Sequence, residues 1–164
     1  MSKTVPVGTL ATSAATRDSL PSNVATLLQN YPSLVTLPVA WADQDAYNHV
    51  NNAIIIRYFE SGRLAYFHHV AAHVGGSAED FMAGKGVSVV LKRISFNYKA
   101  PITFPDTVTV GVRVDPKSIK SDRFNHECII VSHKYGAIVG EGTCTLVAYD
   151  HDTKRKALFT DEFL

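Results

Sequence analysis

WADQDAYNHVNNAIIIRYFESGR, residues Trp41 to Arg63, decides how this chain is read. Two carboxylates, Asp43 and Asp45, close the apolar run Leu34 to Trp41, and Tyr47, Asn48, His49, Asn51 and Asn52 make a polar turn. Apolar positions then recur at Ile54, Ile55, Tyr58, Gly62, Ala65, Tyr66 and His69, which approximates helical spacing. Asn51 or Asn52 suits the N-cap, because its side-chain oxygen can accept an orphaned backbone N–H. Gly75 and Gly76 suit the stop. A helix over Asn52 to Val74 would run about 35 Å at its ordinary rise. The order is strand, carboxylate, polar turn, helix start. Free N–H groups at such a start polarise a carbonyl oxygen or hold an anion, and a carboxylate beside them can act as base or nucleophile. The competing reading makes the same residues plain turn formers.

The stretch resembles the acyl-CoA thioesterases of the hotdog fold, in their 4-hydroxybenzoyl-CoA thioesterase-like branch. Asp43, Asp45, Ala46, His49-Val50-Asn51-Asn52, Arg57-Tyr58-Phe59-Glu60 and Arg63 carry the resemblance, which extends over roughly Leu34 to Asp150. It implies an α+β hotdog fold, a long central helix wrapped by a curved antiparallel β-sheet, with Asp45 as the catalytic carboxylate. It also implies pairing into a homodimer or homotetramer, with the active site often between subunits. The sequence departs from the pattern at Ala40, where a basic residue is common, at Asn48, where glycine is usual, and at Ile55, where tyrosine is common. Asparagine tolerates left-handed backbone, so Asn48 is the mildest change.

The 164 residues are enough for one domain with its own core, and a hydrophobic share of 46% is that of a globular chain. The formal charge of +1 gives no reason to expect a nucleic acid or membrane partner. No apolar run approaches the roughly 20 residues of a transmembrane helix. Cys128 and Cys144 form neither a disulfide framework nor a zinc spacing, and both fall in strand-like runs where buried thiols are usual. An intracellular, reducing compartment is expected, the cytoplasm first. Lys3 and Arg17 against Asp18 leave a weak mitochondrial address in the N-terminal segment.

Residues 1–23, rich in Ser, Thr, Ala and Val, read as a poorly ordered extension, with the single domain over 24–164. Val24 to Asn30 suits a short helix before Tyr31-Pro32, and Pro38 places the strand Leu34 to Trp41 at an edge or bulge. After Gly84 and Gly86, the run from Val87 ends at Pro101. Asp106 to Asp115 alternates, with Val108, Val110, Val112 and Val114 on one face. Pro116 to Asp122 reads as a turn. Arg123 to His133 and Ala137 to Tyr149 are two more strands about Lys134-Tyr135-Gly136. The expectation is a strand, a long helix and a four-strand meander; the tail after His151 has no assignment.

No nucleophile elbow of the GxSxG type is present, so water or a carboxylate must attack the thioester that the resemblance implies. Asp45 is the first catalytic candidate, with an oxyanion donor among the N–H groups of Asn51 to Ala53. Asp43 suits a structural role in the turn. His49 is a candidate proton carrier, against a ring that bonds backbone across the turn. Asn52 can orient the carbonyl or the water, besides capping. Glu60 is the second catalytic candidate, since some hotdog thioesterases use a helix glutamate, but its spacing to Arg63 fits an ion pair. Tyr47, Asn51 and Ala53 are candidate substrate contacts. Lys117, Lys120 and Arg123, joined by Lys92, Arg93 and Lys99, are candidate phosphate partners or solvated surface. His69 and His73 are four apart without a third ligand, so no metal is expected, and no cofactor beyond coenzyme A within the substrate. The expected function is hydrolysis of an acyl-CoA or acyl-carrier-protein thioester. The alternatives are a non-catalytic acyl-binding or scaffold protein on the same fold and a hotdog hydratase or dehydratase.

Overall fold

The computed structural model describes residues 13–71, 80–81 and 83–160. Two short helices, α1 (Ser13–Asp18) and α2 (Ser22–Leu27), lead into strand β1 (Ser33–Pro38). A 3-10 turn, Trp41–Asp43, precedes the long helix α3 (Asn52–Ala71). Strands β2 (Val87–Tyr98), β3 (Thr107–Lys120), β4 (Arg123–Ser132), β5 (Ala137–Asp150) and β6 (Arg155–Lys156) complete the fold. All pairings are antiparallel, in the order β1-β3-β4-β5-β2, with β6 added to β5.

The expected strand reaching Trp41 stops at Pro38, which lies on an edge strand as expected, and Trp41 belongs to the 3-10 turn instead. The expected helix start at Asn52 is observed; the glycine stop lies outside the described residues. Its buried stripe is rotated from the expected one. Ile55, Tyr58, Phe59, Gly62, Arg63 and Phe67 face the core, whereas His69 is exposed. Gly62 explains the close approach, since a Cβ there would stand 2.6 Å from Val110 Cγ1 and 2.9 Å from Val112 Cγ2. Only a missing side chain lets α3 settle on β3.

Three other expectations need correction. Of the extension expected over residues 1–23, residues 1–12 lie outside the described residues, whereas over 13–23 the chain forms α1 and the start of α2, which pack on the outer sheet face, and Arg17 Nη2 donates to Tyr31 O at 2.7 Å. Val24 and Leu28 are fully buried against Leu34, Ile129 and Val131, each contributing about 1.5–3 kcal/mol by leaving water. Gly111 faces them, with a virtual Cβ 2.7 Å from Leu28, so β3 is buried on both faces despite its clean alternation. Second, the four strands are not a simple meander. Residues 99–106 pass the β4–β5 turn and carry the chain from β2, at one edge, to β3 beside β1 at the other. Third, Pro116 to Asp122 is mostly strand; the register slips between Asp115 and Lys120, and the turn is confined to Ser121 and Asp122. The unassigned tail docks through β6, an ion pair from Lys156 to Asp122 at 2.6 Å, and buried Phe159 against Phe124.

Beneath α3 lies His126, fully buried, its ring 4.4 Å from Tyr66 and 5.3 Å from Phe67 and Phe124. Among the described residues, neither ring nitrogen has a hydrogen-bond partner. Burial, helped by the nearby Arg63 charge, pushes its pKa down to about 3 from 6.5. The folded state therefore keeps it neutral while the unfolded chain takes up a proton below 6.5. Its contribution to stability is complete above pH 6.5 and is lost as pH falls toward 3. Denaturant titrations at several pH values check this: His126→Leu is expected to lose stability less steeply than wild type on acidification.

Candidate active site

The turn between β1 and α3 is closed by backbone and side chain together. Gln44 and Val50 form a bridge, Asp45 N–H donates to His49 O at 2.8 Å, and Asn48 N–H donates to Asp45 O at 3.1 Å. Asn48 stands at φ 58°, the left-handed conformation that its amide side chain tolerates. Val50 N–H donates to Ile102 O, and Phe104 N–H donates to Gln44 Oε1, so the segment before β3 braces the turn.

Asp43, expected to hold the turn, makes three hydrogen bonds across it. Its Oδ2 accepts from Ala40 N–H at 3.0 Å and from Tyr58 O–H at 2.5 Å, and its carbonyl accepts Asn51 N–H at 2.9 Å. Burial, then the bond to Asp43, raises the Tyr58 pKa well above the ordinary phenol range. Asp45 is half-buried. Its Oδ1 accepts Tyr47 N–H at 2.8 Å and His49 N–H at 3.4 Å, while its Oδ2 has no hydrogen bond among the described residues.

Asn51, not Asn52, is the N-cap. Its Oδ1 accepts Ala53 N–H at 2.9 Å, and its carbonyl accepts from Ile54 and Ile55. Of the three N–H groups at the helix start, those of Asn51 and Ala53 are thus occupied. The Asn52 N–H has no acceptor among the described residues. Asn52 O accepts the Tyr98 hydroxyl at 3.4 Å, which ties the helix start to the end of β2. His49 is exposed, its ring without a hydrogen bond among the described residues, and Tyr47 is 80% exposed beside it. Trp41 and Phe104, which the sequence reading passed over, are also exposed around this turn; their signal was large aromatics in a polar loop.

The other candidates lie elsewhere. Glu60 is exposed two turns along α3, about 12 Å from Asn52 at helical rise. It meets the buried Arg63 at 3.5 Å, the expected spacing. Lys117 and Lys120 sit at the far end of β3, roughly 33 to 43 Å of strand beyond the Thr107 end that adjoins the turn. Arg123 is with them, 3.1 Å from Asp122 but not aligned for a hydrogen bond. A single protomer does not bring this basic cluster to Asp45. Among the described residues, no group of three or more His, Cys, Asp or Glu side chains is placed to hold a metal ion.

The family model described as the thioesterase-like superfamily matches residues 39–164, from the start of the turn onward. The chain belongs to that superfamily. It is a thioester hydrolase of the hotdog fold. Among solved structures, a thioesterase from Thermus thermophilus complexed with coenzyme A and Zn is 25% identical, with a TM-score of 0.67 over 82% of this chain and 95% of that one. A DHNA-CoA thioesterase from Staphylococcus aureus is 23% identical, with a TM-score of 0.65 over 77% of this chain and 79% of that one. A 1,4-dihydroxy-2-naphthoyl-CoA thioesterase from Synechocystis shares the fold at 14% identity, with a TM-score of 0.64 over 80% and 91%. Among curated protein sequences, none matches. No helix of this thioesterase, among the described residues, is long and apolar enough to cross a membrane.

The cap can be tested directly. Asn51→Ala frees the Ala53 N–H and is expected to cost about 0.5–2 kcal/mol in chemical denaturation.

Proposed function

We propose that this thioesterase hydrolyses acyl-CoA thioesters with Asp45 as the base that activates water. The observation that carries the reading is the division of labour at the turn. Among the described residues, one oxygen of Asp45 is fixed by two N–H groups and the other accepts no hydrogen bond, while the Asn52 N–H at the helix start has no acceptor. The free oxygen takes a proton from water, whose oxygen adds to the thioester carbon. Negative charge collects on the carbonyl oxygen at the Asn52 N–H, which the helix dipole reinforces. The C–S bond then breaks, the acyl group leaves as a carboxylic acid, and the thiolate recovers the proton. The exposed imidazole of His49 is the group that carries protons between the turn and solvent. Tyr47 and the Asn51–Ala53 corner line the approach of the substrate.

Two copies of the chain form the working unit in this reading. β2 is an edge strand of twelve residues, with Val87, Leu91 and Tyr98 exposed, as are Ile56 and Leu64 of α3. An open edge of this length, carrying exposed apolar side chains among its polar ones, favours pairing with its own copy. Tyr98 adjoins the Asn52 end of the molecule, and Val87 adjoins the β3–β4 hairpin through Asp150 and Val147 of β5. An antiparallel two-fold about the middle of β2 therefore brings the second copy's Lys117, Lys120 and Arg123 toward the first copy's turn. There they are suited to the phosphates of coenzyme A.

Thiol release from a panel of acyl-CoAs tests the chemistry. Asp45→Asn keeps an acceptor for Tyr47 N–H and is expected to fold normally while kcat falls about 10²–10⁴-fold. An unimpaired variant would remove Asp45 from the reaction, and tight binding without turnover by wild type would favour an acyl-binding protein. Sedimentation analysis checks the pairing: a dimer is expected, and Leu91→Glu is expected to shift it toward monomer.

A further inference from the structure

Two bodies meet at the candidate active site. Asp45 belongs to the turn, whereas the Asn52 N–H belongs to α3, a rod of 20 residues. They join at Asn51, whose N–H donates to Asp43 O at 2.9 Å and whose side chain caps the helix. A single pivot of this kind fixes where the turn sits but leaves it free to rock about the helix start.

A second attachment removes that freedom. Tyr58 lies on the second turn of α3, about 9 Å along the axis from Asn52. Its hydroxyl donates to Asp43 Oδ2 at 2.5 Å, and the same oxygen accepts Ala40 N–H at 3.0 Å, where the chain enters the turn. Val50 N–H and Gln44 Oε1 tie the turn to the segment before β3 instead. Among the described residues, no other hydrogen bond joins the turn to α3 beyond its cap. Held at both Asn51 and Tyr58, the turn takes its angle as well as its place from the helix.

The ring of Tyr58 is anchored without help from its hydroxyl. It is 7% exposed, in a core cluster with Val39, Val50, Ile55 and Ile102. A phenylalanine ring would fill the same place, so packing alone gives no reason for the oxygen. A buried hydroxyl costs free energy unless it is hydrogen-bonded, and here its partner is the Asp43 carboxylate. The tolerance that such a tie serves is small, since a misplacement of about 1 Å at a reacting centre can cost about a hundredfold in rate.

We propose that Tyr58 is a positioning residue for hydrolysis: acting through Asp43, it holds the turn that carries Asp45 at a fixed angle to the helix start that carries the Asn52 N–H. The inference rests on the hydrolytic reading above and adds to it a hydroxyl remote from the reacting atoms. Tyr58 itself is buried in the core and makes its one polar contact with Asp43.

The test uses the acyl-CoA that wild type hydrolyses fastest, with kcat and KM measured separately for Tyr58→Phe, Asp45→Asn and the double variant. Each is assayed at a temperature where its melting curve shows it folded. Tyr58→Phe keeps the ring and deletes one oxygen, and kcat is expected to fall about tenfold while KM stays within about twofold. In the Asp45→Asn background the same deletion is expected to change kcat less than about twofold, because the group it positions has lost its function. A hydroxyl with a merely structural role would lower the melting temperature and leave kcat alone, and that result overturns the inference. An equal fall in both backgrounds, or a loss confined to KM, overturns it as well. Should wild type hydrolyse no acyl-CoA, or Asp45→Asn be unimpaired, the hydrolytic reading fails and takes this inference with it. A normal Tyr58→Phe beside an impaired Asp45→Asn sinks the inference alone.

Discussion

Asp43 holds the working end of the molecule together. Its carboxylate joins the entry of the turn, at Ala40, to the second turn of α3, at Tyr58, and its carbonyl grips the residue that caps the helix. Because Tyr58 keeps its proton far above neutral pH, the bond to Asp43 persists through any ordinary working range. The brace ties the turn that carries Asp45 to the start of α3 at Asn51 and Asn52. In the proposed reaction, preorganisation of that kind would let one carboxylate and one N–H act on a carbonyl without reorganising.

Much of this end was legible in the sequence because its residues are consecutive. Asp43, Asp45, Asn48, Asn51 and Asn52 fall within ten positions, where turn chemistry and capping rules apply directly. Even the choice between the two asparagines as cap needed only one hydrogen bond to settle. The burial of Arg63 was hidden. A charged residue three positions from a glutamate reads as surface, and only the thiol of Cys144 on β5, far along the chain, shows that it points inward. The order of strands was hidden for a related reason: alternation reveals a strand's two faces but not its neighbour, so the displacement of β2 to the far edge left no local trace.

The N-terminal helices illustrate a different gap. A small apolar residue such as Gly111 in an alternating strand looks like the solvent side, and a Ser/Ala-rich leader looks unstructured. Each explains the other: the absent side chain makes the groove that Leu28 and Tyr31 fill. Neither half of such a contact is visible without its partner. The basic cluster is the converse case: its residues are plain in the sequence, yet they lie at the opposite end of a single protomer from Asp45.

The crossing of the chain between the sheet's two edges also has a kinetic meaning. β3, β4 and β5 are joined by short turns and pair with their chain neighbours, so their loops close at little entropic cost. β1 must find β3 across the whole length of α3 and β2, and β2 must find β5 across the entire meander. Folding thus has a natural order, in which the three-strand meander forms first, the helix settles into its hollow, and the edge strands dock last. The same edge on which the second copy would pair is then the last to be completed, so assembly and final folding converge on one strand.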